Sequence, residues 1–229
     1  MAVNVESYKN IVAELNSKKV TLVAVSKTKS AEEILALYDM GQRDFGENYV
    51  QELVEKYEHL PKDIRWHFIG HLQSNKVKLI APFVYLVHSV DSEKLLKEIS
   101  KQGEKNNRII DCLLQVHIAK EETKFGFDEK ELDTFFQEIL ARNDTGLYKN
   151  IRNVGLMGMA SFSDDRNLVR NEFQFLKSLF TKNATFSILN SQFSILSMGM
   201  SSDYELAIEE GANMVRIGSL LFGKREPKK

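Results

Sequence analysis

Val20-Thr21-Leu22-Val23-Ala24-Val25-Ser26-Lys27, followed by Ser30-Ala31-Glu32-Glu33-Ile34-Leu35-Ala36-Leu37-Tyr38, reads as a buried strand, a short loop and a helix. The first stretch is a continuous apolar, β-branched run, as in a strand covered on both faces. The second opens on a capping box, with Ser30 at the N-cap and Glu33 three residues on. The same alternation continues along the chain. Strand-like runs fall near 20–26, 44–47, 65–70, 83–89, 109–118, 154–161, 194–199 and 214–218. Among the intervening segments, Ser92 opens a helix to about Gln102, with Gly103 as its stop. Asp128 opens one to Arg142, and Asp203 opens one ending at Gly211. A helix in every gap and another from the first 18 residues give eight of each, which closes a (β/α)8 barrel. The N-terminal helix would complete the outer ring after strand eight. A doubly wound open sheet is the alternative. Against it, strand one is followed by no Gly-rich dinucleotide fingerprint.

Composition narrows the function classes. The 229 residues are 43% hydrophobic and 28% charged, which suits a soluble core, and only three are proline. No Gly/Ser-rich linker interrupts them, so residues 1–229 are expected to form a single domain. A formal net charge of −1 gives no electrostatic reason to expect nucleic acid or anionic membrane. The basic stretch at 224–229 reads as a solvated tail. The longest apolar stretch, Leu79 to Val87, is too short to span a bilayer and contains Pro82. With no secretory-type leader at the N-terminus and one cysteine, Cys112, a reducing cytoplasmic compartment is expected. Cys112 lies mid-strand and reads as a core residue, not a nucleophile.

In a barrel, chemistry sits at the carboxyl ends of the strands. Lys27 is expected at that end of strand one, on the face shared by Thr21, Val23 and Val25. Burial of an ammonium is costly and frees the amine to attack carbonyls, so Lys27 reads as a Schiff-base lysine. A lysine that snorkels into solvent is the plainer alternative. Asn48, after strand two, is either an amide donor near that amine or a helix N-cap. Strands seven and eight run into Met200-Ser201-Ser202-Asp203 and Gly218-Ser219. Those are the loops where barrels bind phosphate. Ser201 offers a hydroxyl, and Gly218 and Ser219 offer backbone N–H groups. A Schiff-base lysine facing a phosphate cradle suggests pyridoxal 5′-phosphate (PLP). Arg216, on the face of Gly218, would then meet the pyridine nitrogen with a group that only donates hydrogen bonds. The alternative is a salt-bridged core arginine.

These segments resemble the family of PLP homeostasis proteins, close in fold to the N-terminal barrel of bacterial alanine racemase. Similarity runs from about Val20 to Gly223. It is carried by Val23-Ala24-Val25-Ser26-Lys27-Thr28, Phe45-Gly46-Glu47-Asn48-Tyr49-Val50-Gln51-Glu52, Trp66-His67-Phe68-Ile69-Gly70-His71-Leu72-Gln73-Ser74-Asn75-Lys76 and His88-Ser89-Val90-Asp91-Ser92. Gly155-Leu156-Met157, Leu196-Ser197-Met198-Gly199-Met200-Ser201 and Val215-Arg216-Ile217-Gly218 complete the set. The resemblance implies that Lys27 carries PLP as an internal aldimine, that Ser201, Gly218 and Ser219 hold its phosphate, and that Arg216 faces its ring nitrogen. It also implies a role in intracellular PLP homeostasis without catalytic turnover. Departures are His117 where the family has asparagine, no proline in Gly158-Met159-Ala160-Ser161, and a short N-terminal helix.

Two other functions compete. A racemase-like PLP enzyme needs a second acid/base, which in alanine racemase comes from a second domain. Only ten residues follow Ser219, so no such domain is expected. A metal-dependent hydrolase would use His67, His71, His88 and His117, but no carboxylate third ligand is evident for the first two. They read instead as hydrogen-bonded residues near strand three. Lys124 reads as a surface lysine after strand five, or as a second aldehyde acceptor near the mouth. The expected partners are PLP and PLP-dependent apoenzymes, with the protein a monomer.

Overall fold

The computed structural model describes residues 3–120, 125–142, 146–184 and 193–223. The first apolar run becomes β1 (Thr21–Val25), hydrogen-bonded in parallel to β2 (Asp44–Glu47) on one side and β8 (Met214–Ile217) on the other. Between them β3 (Arg65–Phe68), β4 (Leu86–Val90), β5 (Ile110–Val116), β6 (Ile151–Gly158) and β7 (Ile195–Met200) follow in chain order and close the barrel. The outer ring is α1 (Val5–Ser17), α2 (Ala31–Tyr38), α3 (Val50–His59), α4 (Val77–Ile80), α5 (Glu93–Lys105), α6 (Glu129–Arg142), α7 (Arg166–Asn183), α8 (Tyr204–Glu209) and α9 (Ser219–Phe222). The (β/α)8 expectation holds. The N-terminal helix closes the ring as expected. In α1, Tyr8 reaches Gln42 after α2, and Glu14 accepts from Tyr204 of α8. The backbone N–H of Asn4, its N-cap, bonds to Leu221 of α9.

The period-2 alternation of the strands divides the interior into two apolar layers. Val23, Leu86, Leu113, Met157 and Met214 point inward and fill the lumen. Leu22, Ala24, Phe45, Trp66, Phe68 and Leu114 point outward into the larger mantle packed by the helices. Gly46 faces the lumen, where a Cβ would lie 2.9 Å from Val23. Burial of this area is the dominant favourable term, at about 25 cal/mol per Å².

Several element ends differ from expectation. The Ser30–Glu33 capping box is present in both directions, and Asp128 and Glu131 make the same reciprocal pair before α6. Gly103 does not stop α5, which runs on to Lys105. Its missing side chain serves close packing, since a Cβ there would sit 2.7 Å from the carbonyl of Asn150. β6 starts at Ile151 and ends at Gly158, so Met159 to Ser161 form a loop at the barrel mouth. The gap after β3 holds only a short 3-10 turn and one turn of α4. Cys112 is fully buried mid-strand, and burial pushes its thiol far up, as suits a core residue. No helix among the described residues is long and apolar enough to cross a membrane.

Candidate functional site

At the carboxyl ends of β1, β2, β3, β6, β7 and β8 lies a cavity of about 460 Å³. Lys27, Asn48, Ser201, Arg216, Gly218 and Ser219 all line it. Lys29, Val25, Ile69, Met159 and Phe162 complete much of the wall. Among the described residues, three cations and no carboxylate line this space, which favours an anionic guest. A larger groove of about 610 Å³ lies on the outer side of Ser201 and Ser202, against α1 and α8. It mixes Arg166 with Glu6, Asp203 and Glu205 and holds none of the other five residues.

Lys27 lies two residues beyond the last residue of β1, in a turn, and is partly exposed. The strand is thus shorter than the apolar run. The alternation nevertheless persists through the turn: Val25 and Lys27 face the cavity, while Ser26 is fully buried on the outer side. There Ser26 Oγ donates to Glu47 Oε1 at 2.6 Å. Lys56 of α3 donates to the same Glu47 oxygen at 2.7 Å, to Glu52 Oε1 at 2.6 Å and to the Ser26 carbonyl at 2.8 Å. Glu47 is fully buried, and its Oε2 has no hydrogen-bond partner among the described residues. Burial outweighs the Lys56 ammonium and raises the Glu47 carboxyl to about 7.

Asn48 does not make a side-chain cap for α3, whose N-cap is Tyr49. Its amide oxygen is buried against the cavity without a partner among the described residues. Its backbone is pressed against Gly70, where a Cβ would lie 2.3 Å from the Asn48 carbonyl oxygen. Across the mouth, the Gly218 N–H donates to Ser201 Oγ at 3.2 Å, which leaves the Ser201 hydroxyl proton for another acceptor. At Gly218 a Cβ would meet Val25 at 3.3 Å.

Arg216 is buried in the lumen and donates to Ser197 Oγ at 2.7 Å and to the Gly158 carbonyl at 3.0 Å. Burial lowers its pKa to about 10, so it stays charged at neutral pH. Ser197 is 3.2 Å from His88 Nδ1, His88 Nε2 is 2.8 Å from His67 Nδ1, and His67 Nε2 is 3.0 Å from Asp44 Oδ1. A guanidinium only donates and a carboxylate only accepts, so with both imidazoles neutral the donation runs one way, from Arg216 through Ser197, His88 and His67 to Asp44. Burial is the main cause that holds His88 well below the usual histidine range, and the Arg216 guanidinium adds to it. Burial alone would raise Asp44, but hydrogen bonds from Arg65 and His67 bring it to about 2.

The histidine reading needs one correction. His67 and His71 each do have a carboxylate partner, Asp44 and Asp91, both at 3.0 Å. The two pairs are separate, and no group of three or more His, Cys, Asp or Glu among the described residues could hold a metal. Lys124 lies outside the described residues. The contributions of Lys29, Met159 and Phe162 to the wall were not legible in the sequence, because they come from loops without a period. Gly70, within the quoted Ile69-Gly70-His71, was the available signal for the close approach to Asn48.

Residues 2–226 match the family described as alanine racemase, N-terminal domain. The chain is 42% identical over 206 residues to a pyridoxal phosphate homeostasis protein of Aquifex aeolicus, covering 90% of this chain and 87% of that one. It superposes with a TM-score of 0.81 on PipY of Synechococcus elongatus, solved with PLP bound, at 33% identity over 93% of this chain and 99% of that one. An alanine racemase of Streptomyces lavendulae shares the fold, with a TM-score of 0.73 at 13% identity, and this chain covers 59% of it. The motifs, the closed barrel and these matches together place the chain in the alanine racemase N-terminal domain family, among the pyridoxal phosphate homeostasis proteins.

Proposed function

We propose that this protein binds PLP in the strand-end cavity, carries it on Lys27, and acts in intracellular PLP homeostasis without catalytic turnover. The observation that carries the reading is the cavity whose described lining brings Lys27 and Arg216 together with Ser201, Gly218 and Ser219 and includes no acid. The volume falls within the few-hundred Å³ range of small-ligand sites. The residues fit the group: the orphaned amide oxygen of Asn48 and the remaining Ser201 hydroxyl proton both await a ligand. Ser201 and the N–H groups at Gly218 and Ser219 would hold the phosphate. Arg216, anchored on Ser197 and Gly158, keeps N–H donors for the ring nitrogen. Donors alone at that atom would keep it unprotonated. When bound, PLP supplies an aldehyde carbon that condenses with a primary amine. Lys27 presents that amine from the turn after β1, and Lys29 is engaged elsewhere, with Phe222 and Glu33.

The absence of turnover is supported by the cavity's lining. No carboxylate, tyrosine, histidine or cysteine among the described residues stands there to act as a second acid/base. The curated relative's name, pyridoxal phosphate homeostasis protein, supports the same role. We take the chain as one domain that acts as a cytoplasmic monomer and passes PLP to PLP-dependent apoenzymes.

The test is the visible spectrum of the purified protein, followed by borohydride reduction and peptide mapping. A yellow protein with the reduced adduct on Lys27 is expected. A colourless protein that takes up no added PLP refutes the binding reading, and an adduct confined to Lys29 refutes the assignment of Lys27. Measurable conversion of L- to D-alanine that is lost in Lys27→Ala would refute the non-catalytic role.

A further inference from the structure

Outside the cavity, the turn that bears Lys27 is gripped from both sides by one cluster of charged side chains. On the N-terminal side, the Ser26 carbonyl accepts from Lys56 at 2.8 Å and from the Lys29 N–H at 3.0 Å, and Ser26 Oγ donates to Glu47. On the C-terminal side, the Thr28 N–H donates to Glu52 Oε1 at 2.6 Å. Lys56 also donates to that Glu52 oxygen, which joins the two sides. Thr28 has φ +63°, a left-handed conformation that is unusual and unfavourable for a β-branched residue. Such a conformation persists only where its surroundings over-determine it. Here the Glu52 bond is one of the restraints, and it comes from α3, not from the strand.

We propose that Glu52, braced by Lys56 and Glu47, is a positioning residue: by fixing the left-handed turn at Thr28 it aims the Lys27 amine into the cavity and sets the rate at which Lys27 captures an aldehyde. The inference rests on the PLP reading above. In the capture step, Lys27 Nζ bonds to the aldehyde carbon, and the aldehyde oxygen leaves as water with the two protons of the neutral amine. Glu52 takes no part in that bond change. It restricts where the amine can be when the aldehyde arrives, which is where orientation contributes to rate.

The two functions of the site can be measured separately. Pyridoxamine 5′-phosphate has an amine in place of the aldehyde, so its affinity reports the phosphate and ring contacts without capture. Covalent capture of PLP is followed by quenching with borohydride at timed intervals and mapping the adduct on Lys27. For Glu52→Ala the capture rate is expected to fall about tenfold, the rate equivalent of one net hydrogen bond, with pyridoxamine 5′-phosphate affinity unchanged. Glu52→Gln, which keeps an acceptor for the Thr28 N–H, should restore most of the rate. An unchanged rate in Glu52→Ala overturns the proposal. So does an equal loss of pyridoxamine 5′-phosphate affinity, which would mark a general packing role, or a Gln variant as slow as Ala. If the wild-type protein itself forms no adduct on Lys27, the underlying PLP assignment fails, and the variants are not needed to see it.

Discussion

Replacing Glu47 by Gln should remove a specific part of the pH dependence of stability. Glu47 is fully buried, shares the single Lys56 ammonium with Glu52, and leaves one oxygen without a partner among the described residues. Its carboxyl is raised from an ordinary 4.5 to about 7, with burial the main cause. A folded-state pKa above the unfolded one means that the folded state holds the proton more tightly. The resulting stabilisation is complete below about pH 4.5 and is lost as the pH rises through 7. Its full size is about 3 kcal/mol, at about 1.4 kcal/mol per tenfold change in proton affinity. Glutamine is nearly isosteric and does not titrate. The wild-type free energy of unfolding should therefore fall by about 3 kcal/mol relative to Glu47→Gln between pH 4.5 and pH 8. Near the midpoint of thermal unfolding this corresponds to a relative shift of about 6–12 °C for a chain of this size. Urea titrations of both proteins at pH 4.5, 6 and 8, at one ionic strength, provide the assay. The buried His88 also contributes pH dependence below its ordinary range, but it does so in both proteins and cancels in the difference. Parallel stability curves would refute the reasoning, because the carboxylate would then be ionised throughout.

Other expectations follow from the same geometry. Gly70→Ala places a Cβ against the Asn48 backbone and should weaken pyridoxamine 5′-phosphate binding about tenfold or more; unchanged calorimetric affinity would show that Asn48 is not needed there. Asp44→Asn should cost about 2 kcal/mol at neutral pH. Because the Asp44 carboxyl is lowered to about 2, that gap should be present above pH 4 and shrink as the pH falls through 2; a gap that stays constant on acidification would refute the ion-pair account. Arg216→Glu puts an acceptor where the ring nitrogen is expected, so transamination of an added amino acid by the loaded protein should rise, and spectra showing no rise would remove the tuning role of Arg216. Lys27→Ala should abolish the borohydride-trapped adduct while leaving phosphate-held PLP detectable by equilibrium dialysis.

The barrel was legible because its signals are local and repeated. Apolar runs recur with helices between them, and signals such as the Ser30–Glu33 capping box and Asp128 at the start of α6 mark where helices begin. Strand ends were less legible. Periodicity says which face a residue takes, but hydrogen-bond pairing decides where a strand stops, so Lys27 fell beyond β1 and Ser161 beyond β6. Gly103 was misread because a glycine that ends a helix and a glycine that admits a neighbouring backbone look the same in sequence. The six candidate site residues were reachable because the barrel rule assigns chemistry to strand ends. The Glu47–Lys56–Glu52 cluster and the path from Asp44 to Arg216 were not. Both join residues from different strands and helices; Glu52 and Lys56 have the i,i+4 spacing of a helix-face pair, but nothing in the sequence marks its reach to Glu47 or the members of the path.

The path from Arg216 to Asp44 has a sense as well as a composition. Each member passes a hydrogen toward Asp44, so the lumen carries an aligned row of bond dipoles with a cation beneath the mouth and its balancing anion at the opposite end. Reversing the group at position 216 would reach beyond that residue. An acceptor there would draw the Ser197 hydroxyl toward itself and leave His88 Nδ1 without its donor, and each imidazole would have to exchange its tautomer down to Asp44, which has no proton to return at neutral pH. The choice of arginine beside the proposed cofactor site is thus built into the polarisation of the whole barrel interior, and a descendant that exchanged it for an acid would have to re-pole four other residues at once.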